Sequence, residues 1–148
     1  MITIIQRVTT ATVTVNSHEL GRIERGIMAL VAVEKDDTEK EVERLLERIL
    51  NYRIFADSEG RMNLSLKDIH GGLLLVPQFT LAADTRKGNR PSFTAAAAPE
   101  HGRRLFAYLQ QTALIAYPGT QFGEFGADMQ VALINDGPVT FTLRTTQH

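Results

Sequence analysis

The chain has 148 residues, with 16 Lys plus Arg against 17 Asp plus Glu and a formal net charge of -1. This length suits one domain of roughly 100–200 residues that folds without a disulfide or metal, and 43% hydrophobic with 22% charged residues excludes a disordered or fibrous chain. The absence of cysteine excludes thiol catalysis, Cys-ligated zinc and iron–sulfur chemistry; with no signal-peptide pattern and no apolar run near the ~18 residues of a membrane span, the expectation is a soluble, cytoplasmic, single-domain protein.

In chain order, Ile2–Val8 and Thr12–Val15 read as strands, alternating or β-branched. Glu19–Ile23 and Ile27–Val33 flank Glu24-Arg25-Gly26, a loop of hairpin length, so these two strands are predicted to pair. From Thr38 to Leu50, Val42, Leu45, Leu46, Ile49 and Leu50 recur at helical spacing, behind the capping box Thr38-x-x-Glu41. A brief strand is expected at Arg53–Phe55, ended by the turn signal Asp57-Ser58-Glu59-Gly60. Leu73–Val76, wholly apolar after Gly71-Gly72, reads as a central buried strand, and Pro77, which has no N–H to donate, stops or bends its ladder. A second helix is predicted from Pro99, suited to a first turn, to about Ala116, with Leu105, Phe106, Leu109 and Ala113 inward and Pro118-Gly119 beyond its end. Met129–Ile134 and Val139–Leu143 return to strands. Strands in both halves with two main helices between them imply an α+β fold on a mixed or antiparallel sheet, not a regular βαβ winding.

Near-neutral net charge argues against a cationic grip over the whole surface. Locally, Glu34–Arg48 is acidic, a solvated helix face, whereas Asp84–Arg104 carries Arg86, Lys87, Arg90, Arg103 and Arg104 against two acids. That basic stretch is either ordinary surface charge or a local phosphate contact.

Familiar catalytic signatures are missing: there is no GxSxG, HExxH, P-loop or GxGxxG. His18, His70, His101 and His148 share no ligand-like spacing, so no metal site and no nucleophile–base pair is expected. Two segments remain. Pro77 to Thr85 directly follows the most buried strand and sets polar Gln78 and Thr80 in an apolar run; it is an ordinary strand end or a site, since sites gather at the ends of buried strands. Asn135-Asp136-Gly137-Pro138-Val139-Thr140 is a β-turn between strands or, if Gly137–Pro138 is cis, a rigid pair of carbonyl acceptors serving as a stereochemical gate.

At these two segments the sequence resembles the D-aminoacyl-tRNA deacylases (the D-tyrosyl-tRNA deacylase family), over residues 1–148 as one domain. The resemblance includes Ile5-Gln6-Arg7-Val8, Val33-Glu34-Lys35-Asp36-Asp37, Tyr52-Arg53-Ile54-Phe55, Met62-Asn63, Gln78-Phe79-Thr80-Leu81-Ala82-Ala83-Asp84-Thr85 and Arg90-Pro91-Ser92-Phe93. It closes on Ala127-Asp128-Met129-Gln130-Val131 and Asn135 to Phe141. One position departs: Pro77 stands where the family usually has serine. Proline is found there in the related animal-type deacylases that remove L-threonine from alanine tRNA, but Phe79 and the second motif follow the D-specific pattern.

The resemblance implies a barrel-like sheet and hydrolysis of the ester between a D-amino acid, or glycine on alanine tRNA, and the 3′-terminal adenosine. Gln78, Phe79 and Thr80 are implied as catalytic residues around the adenosine and scissile carbonyl, with backbone N–H groups near Phe79 as oxyanion donors. The ribose 2′-hydroxyl of the substrate is implied to assist water, with Thr80 as covalent nucleophile the rival idea. Gly137 and Pro138 are implied to enter the partner's pocket in a homodimer and reject L side chains, with Arg7 bracing them and Met129 at the substrate. Arg86, Lys87 and Arg90 are candidates for tRNA phosphates. No cofactor, metal or membrane is implied. The alternatives are the L-threonyl-tRNA(Ala) deacylase and a non-catalytic RNA-end-binding module.

Overall fold

The computed structural model describes residues 1–145; His148 lies outside the described residues. The strands are β1 (Ile2–Val15), β2 (His18–Ile23), β3 (Gly26–Ala32), β4 (Phe55–Ala56), β5 (Met62–Leu64), β6 (Gly72–Pro77), β7 (Gln121–Phe122) and β8 (Gln130–Arg144). The helices are α1 (Glu39–Asn51), the single turn α2 (Leu66–Ile69) and α3 (Pro99–Ala116), with a 3-10 turn at Phe79–Ala82. The main sheet runs β2-β1-β3-β6-β7, with β8 on β1, while β4 and β5 form a separate ribbon. The β3–β6 and β6–β7 pairs are parallel and the rest antiparallel, which makes the predicted α+β mixed sheet.

Long β1 organises everything else. β8 follows one of its edges from Ile2↔Arg144 to Thr14↔Gln130. β3 takes the first half of the other edge and β2 the second, meeting β1 at Val8↔Gly26 and Ala11↔Ile23. The expected hairpin between β2 and β3 therefore does not form. Both strands pair with β1, and Arg25 between them gives its carbonyl to the Gly72 N–H of β6 (2.9 Å). The tight hairpin is instead β1–β2, turned by Asn16 and Ser17, whose positive φ values of 49° and 66° suit a two-residue turn. β1 also runs unbroken through Thr9-Thr10, where a gap was expected, because β-branched threonine is comfortable in extended backbone. In the same way β8 is one strand with an interruption, so Asn135–Pro138 is not a turn between two strands.

Alternation along β6 explains its unbroken apolarity. Leu73 and Leu75 join a large cluster with Ile5, Ile27 and Val31 beneath α1 and α3, while Leu74 and Val76 join Val8, Val13, Ile23 and Met28 in the hollow of the sheet. Both faces are dry, as expected of a central parallel strand. Curling around the second cluster nearly closes the sheet into a barrel, bringing β2 against β6 and β7. Gly26 and Gly72 face each other in the β3–β6 register so tightly that a Cβ on Gly26 would overlap the Gly72 carbonyl.

α1 starts as predicted. Thr38 Oγ1 accepts from Lys40 N (3.3 Å) and Glu41 Oε2 accepts from Thr38 N (2.6 Å), closing the capping box. Its five predicted stripe residues are all buried, each contributing about 1.5–3 kcal/mol. α3 has the predicted bounds, with Pro99 in its first turn. The Met1 ammonium is fully buried, donating to Asp37 Oδ1 (2.7 Å) and Thr145 Oγ1 (2.8 Å) where β1, β8 and the start of α1 meet. No helix among the described residues is long and apolar enough to cross a membrane.

Candidate active site

The carboxyl ends of β3 and β6 open into a cavity of about 470 Å³. One wall is Leu30–Val33 and Val76–Phe79, the second is the first turns of α3 through Pro99, Gly102 and Phe106, and the third is the loop Phe125–Met129. Thus Gln78, Phe79 and Met129, predicted from distant segments, line one space. Sequence reading did not assign to the site two aromatic side chains of its wall, Phe106 and Phe125. Phe106 was visible only as part of an amphipathic helix face, and Phe125 in a loop carried no local signal.

Local geometry at the mouth follows from proline. Pro77 pairs with Val31 but has no N–H, and Gln78 N still donates to Val31 O (2.8 Å) before the chain leaves the sheet into the 3-10 turn. Leu81 N returns to Gln78 O and Ala83 N to Thr80 O. The N–H groups of Phe79 and Thr80, at the start of that turn, have no acceptor among the described residues. They are two adjacent backbone donors, Phe79 lining the largely apolar cavity and Thr80 lying one residue beyond its lining, the kind of pair that stabilises a developing oxyanion. Thr80 is exposed, and its backbone carbonyl accepts from Ala83 N (3.1 Å).

Gly137 and Pro138 lie elsewhere. Their peptide bond is cis, both residues are exposed, and neither lines this chain's own cavity. Between Val8↔Asn135 and Gln6↔Thr140, β8 takes five steps while β1 takes two, so residues 136–139 are pushed out of the ladder. Gly137 has φ +130°, and a Cβ there would come within 2.6 Å of Val139 Cγ2, so only glycine fits. The excursion is tied down from both ends. Arg7 Nε donates to Asp136 O (3.1 Å) and its Nη1 to Ile54 O (2.8 Å). Asn135 Nδ2 donates to Arg7 O (2.9 Å) and Val139 O (3.0 Å), and its Oδ1 accepts from Thr140 Oγ1 (3.2 Å).

The basic stretch forms a loop closed by paired backbone bonds between Asp84 and Ser92. Arg86 is bidentate to Asp84 (2.9 and 2.7 Å), and this pairing holds the Asp84 carboxyl down at about 2. Lys87 and Arg90 are exposed and have no carboxylate partner among the described residues. Of the histidines, His101 Nε2 lies 2.8 Å from Asp37 O, His18 Nδ1 lies 3.0 Å from Asn16 O, and His70 caps α2 in the left-handed conformation. No cluster of three or more metal-ligating side chains occurs among the described residues.

Residues 4–144 match the family model described as D-Tyr-tRNA(Tyr) deacylase. A D-aminoacyl-tRNA deacylase of Methylococcus capsulatus is 60% identical, covering 97% of this chain and 94% of the relative. Another, of Pseudomonas entomophila, is 58% identical, covering 95% and 97%. Among solved structures, a c-Myc DNA unwinding element binding protein superposes with TM-score 0.94 at 38% identity over 99% of this chain and 100% of that one. A probable eukaryotic D-amino acid tRNA deacylase, at 19% identity and TM-score 0.83 over 96% and 97%, shares the fold. On these matches and this architecture, the chain belongs to the D-aminoacyl-tRNA deacylase family, hydrolases that act on aminoacyl-tRNA.

Proposed function

We propose that this chain hydrolyses D-aminoacyl-tRNA, and glycyl-tRNA(Ala), releasing free tRNA and the amino acid while sparing L-aminoacyl-tRNA. The observation that carries the reading is the unpaired N–H pair of Phe79 and Thr80, Phe79 lining a cavity that holds no nucleophile–base pair among the described residues. An aminoacyl ester is already activated, so positioning and oxyanion stabilisation suffice. Water, hydrogen-bonded by the ribose 2′-hydroxyl, attacks the carbonyl; the C–O3′ bond breaks and the 3′-oxygen leaves as the terminal hydroxyl. Gln78 and Phe79 position the adenosine and the ester, Met129 lines the same space, and Thr80 contributes its N–H, not its hydroxyl.

Handedness is selected by Gly137-Pro138 entering the cavity of a second copy, where the pair leaves no room for an L side chain and nothing to exclude in glycine. Three features support that arrangement: the pair is exposed, it lies outside its own chain's cavity, and Arg7 and Asn135 fix it in place. Among the described residues β8 pairs with β1 alone, and Ile134 is 59% exposed, a surface a second copy would cover. Lys87 and Arg90 meet tRNA phosphates, Arg86 being engaged by Asp84. The setting is cytoplasmic, where charged tRNA is found.

The test is hydrolysis of D-Tyr-tRNA against L-Tyr-tRNA, with glycyl-tRNA(Ala) as a third substrate. D-specific release with leakage of glycine is expected. Equal rates refute the gate, release of L-threonine alone from alanine tRNA favours the related activity, and no release leaves a binding module. Full activity on a substrate whose terminal ribose lacks the 2′-hydroxyl refutes substrate assistance.

A further inference from the structure

Phe79 has a neighbour the reaction does not explain. The ring of Phe93 lies against it, centroids 5.3 Å apart at a 46° tilt. Phe79 is 60% and Phe93 40% exposed, and neither belongs to a core cluster. Phe93 is not a loose side chain: it directly follows the paired backbone bonds of Asp84 and Ser92, and its carbonyl accepts from Ala96 N (3.1 Å). Two wet aromatic rings in contact, one lining the cavity and the other on a braced loop, mark a surface shaped for a ligand.

The charges of that loop identify the ligand's chemistry. Between the two backbone anchors, Arg86 is engaged by Asp84, whereas Lys87 and Arg90 are exposed without a carboxylate partner among the described residues. An aromatic face on the same short loop as unengaged cations is a combination that suits single-stranded nucleic acid: bases stack on the ring and phosphates meet the cations. A cavity of about 470 Å³ has room for a terminal nucleoside and its amino acid, so the preceding nucleotide must lie outside, at the rim.

We propose that Phe93, backed by Phe79, is the stacking platform for the unpaired base that precedes the terminal adenosine, with Lys87 and Arg90 on the adjoining phosphates. This rests on the reading of the substrate as aminoacyl-tRNA, and it adds a binding residue outside the cavity.

The test compares Phe93→Leu, which keeps an apolar side chain but removes the aromatic face, with Phe93→Trp. Each is assayed on D-Tyr-tRNA and on D-tyrosyl-adenosine, which carries the ester and terminal nucleoside but no preceding base. Stacking strengths imply that Phe93→Leu raises KM for D-Tyr-tRNA about 5- to 150-fold with little change in kcat. Phe93→Trp restores it, and the loss is confined to the longer substrate. Unchanged KM on D-Tyr-tRNA overturns the proposal, as does an equal loss on both substrates, which would mean a reshaped cavity. A Phe93→Leu protein that changes only its oligomeric state also overturns it, since the ring would then meet a second copy. Should the wild type hydrolyse neither substrate, the functional reading fails instead. The platform is then decided by binding of a labelled CCA-ended oligonucleotide, which Phe93→Leu must weaken.

Discussion

Asn135 offers the sharpest test of how the Gly137-Pro138 excursion is held. Its amide spans the base of the excursion, donating to Arg7 O and Val139 O at 2.9 and 3.0 Å while accepting from Thr140 Oγ1. In Asn135→Ala both carbonyls lose a donor. At a net 0.5–1.5 kcal/mol per hydrogen bond, and with the site half-buried so that water replaces part of the loss, the cost is about 1–3 kcal/mol. Asn135→Asp keeps the shape but turns an acceptor toward the two carbonyls, and must destabilise more than alanine at neutral pH. Urea unfolding measures both. The same variants are assayed on D- and L-Tyr-tRNA. If about 1.4 kcal/mol of the constraint on the gate is lost, the preference for D over L falls about tenfold. Two results refute the reasoning: aspartate as stable as asparagine, or a measurable loss of stability with the D-to-L ratio unchanged.

The remaining expectations concern the rim and the core. Thr80→Ala retains its hydrolysis rate within about threefold, because a donated backbone N–H survives the substitution; a collapse in kcat on D-Tyr-tRNA would restore the nucleophile reading. Lys87→Ala and Arg90→Ala each flatten the slope of log binding against log salt by about 0.7 for a single-stranded end, and an unchanged slope removes that residue from the phosphate path. Arg86→Ala releases the Asp84 carboxyl from about 2 toward the ordinary carboxylate range, read by NMR titration. Because the folded value is depressed, whatever this pair adds to stability is present above the unfolded value and fades as pH falls toward about 2. Gly26→Ala forces β3 and β6 apart at their shared glycines, with a cost of about 1–3 kcal/mol or more seen as a lower Tm.

Where the signal was local, the sequence could be read directly. α1 combines a capping box with a single apolar stripe, α3 begins at Pro99, and β6 is apolar because both of its faces are dry. Strand partnership was another matter. Glu24-Arg25-Gly26 has the length of a hairpin, yet the chain passes there from β2 to β3 along one edge of β1, and a period of two does not name a partner. Two-residue β7 and the 3-10 turn carry no side-chain cap or periodic stripe of their own, whereas single-turn α2 has a local signal in the capping box of Ser65 and Asp68. At the site, Gln78 and Phe79 were legible from their place after a buried strand. The wall of Phe106 and Phe125 exists only once α3 and the following loop are docked, and Phe93 becomes a partner of Phe79 only when Asp84 and Ser92 pair.

The pairing of β1 with β8 also sets a timetable. During synthesis β1 emerges first, but the strand that covers one of its edges ends at Arg144. At 5–20 residues per second, that edge stays bare for about 6–23 s while the chain between Val15 and Gln130 is made. An unpaired strand of 14 residues is a template for any other extended chain. β3 and β2 can cover one side of β1 early, but the other side is covered only once β8 has been made. Contacts that distant along the chain also predict slow refolding from denaturant. A chain shortened before β8 should accumulate as aggregate, not as a smaller folded domain.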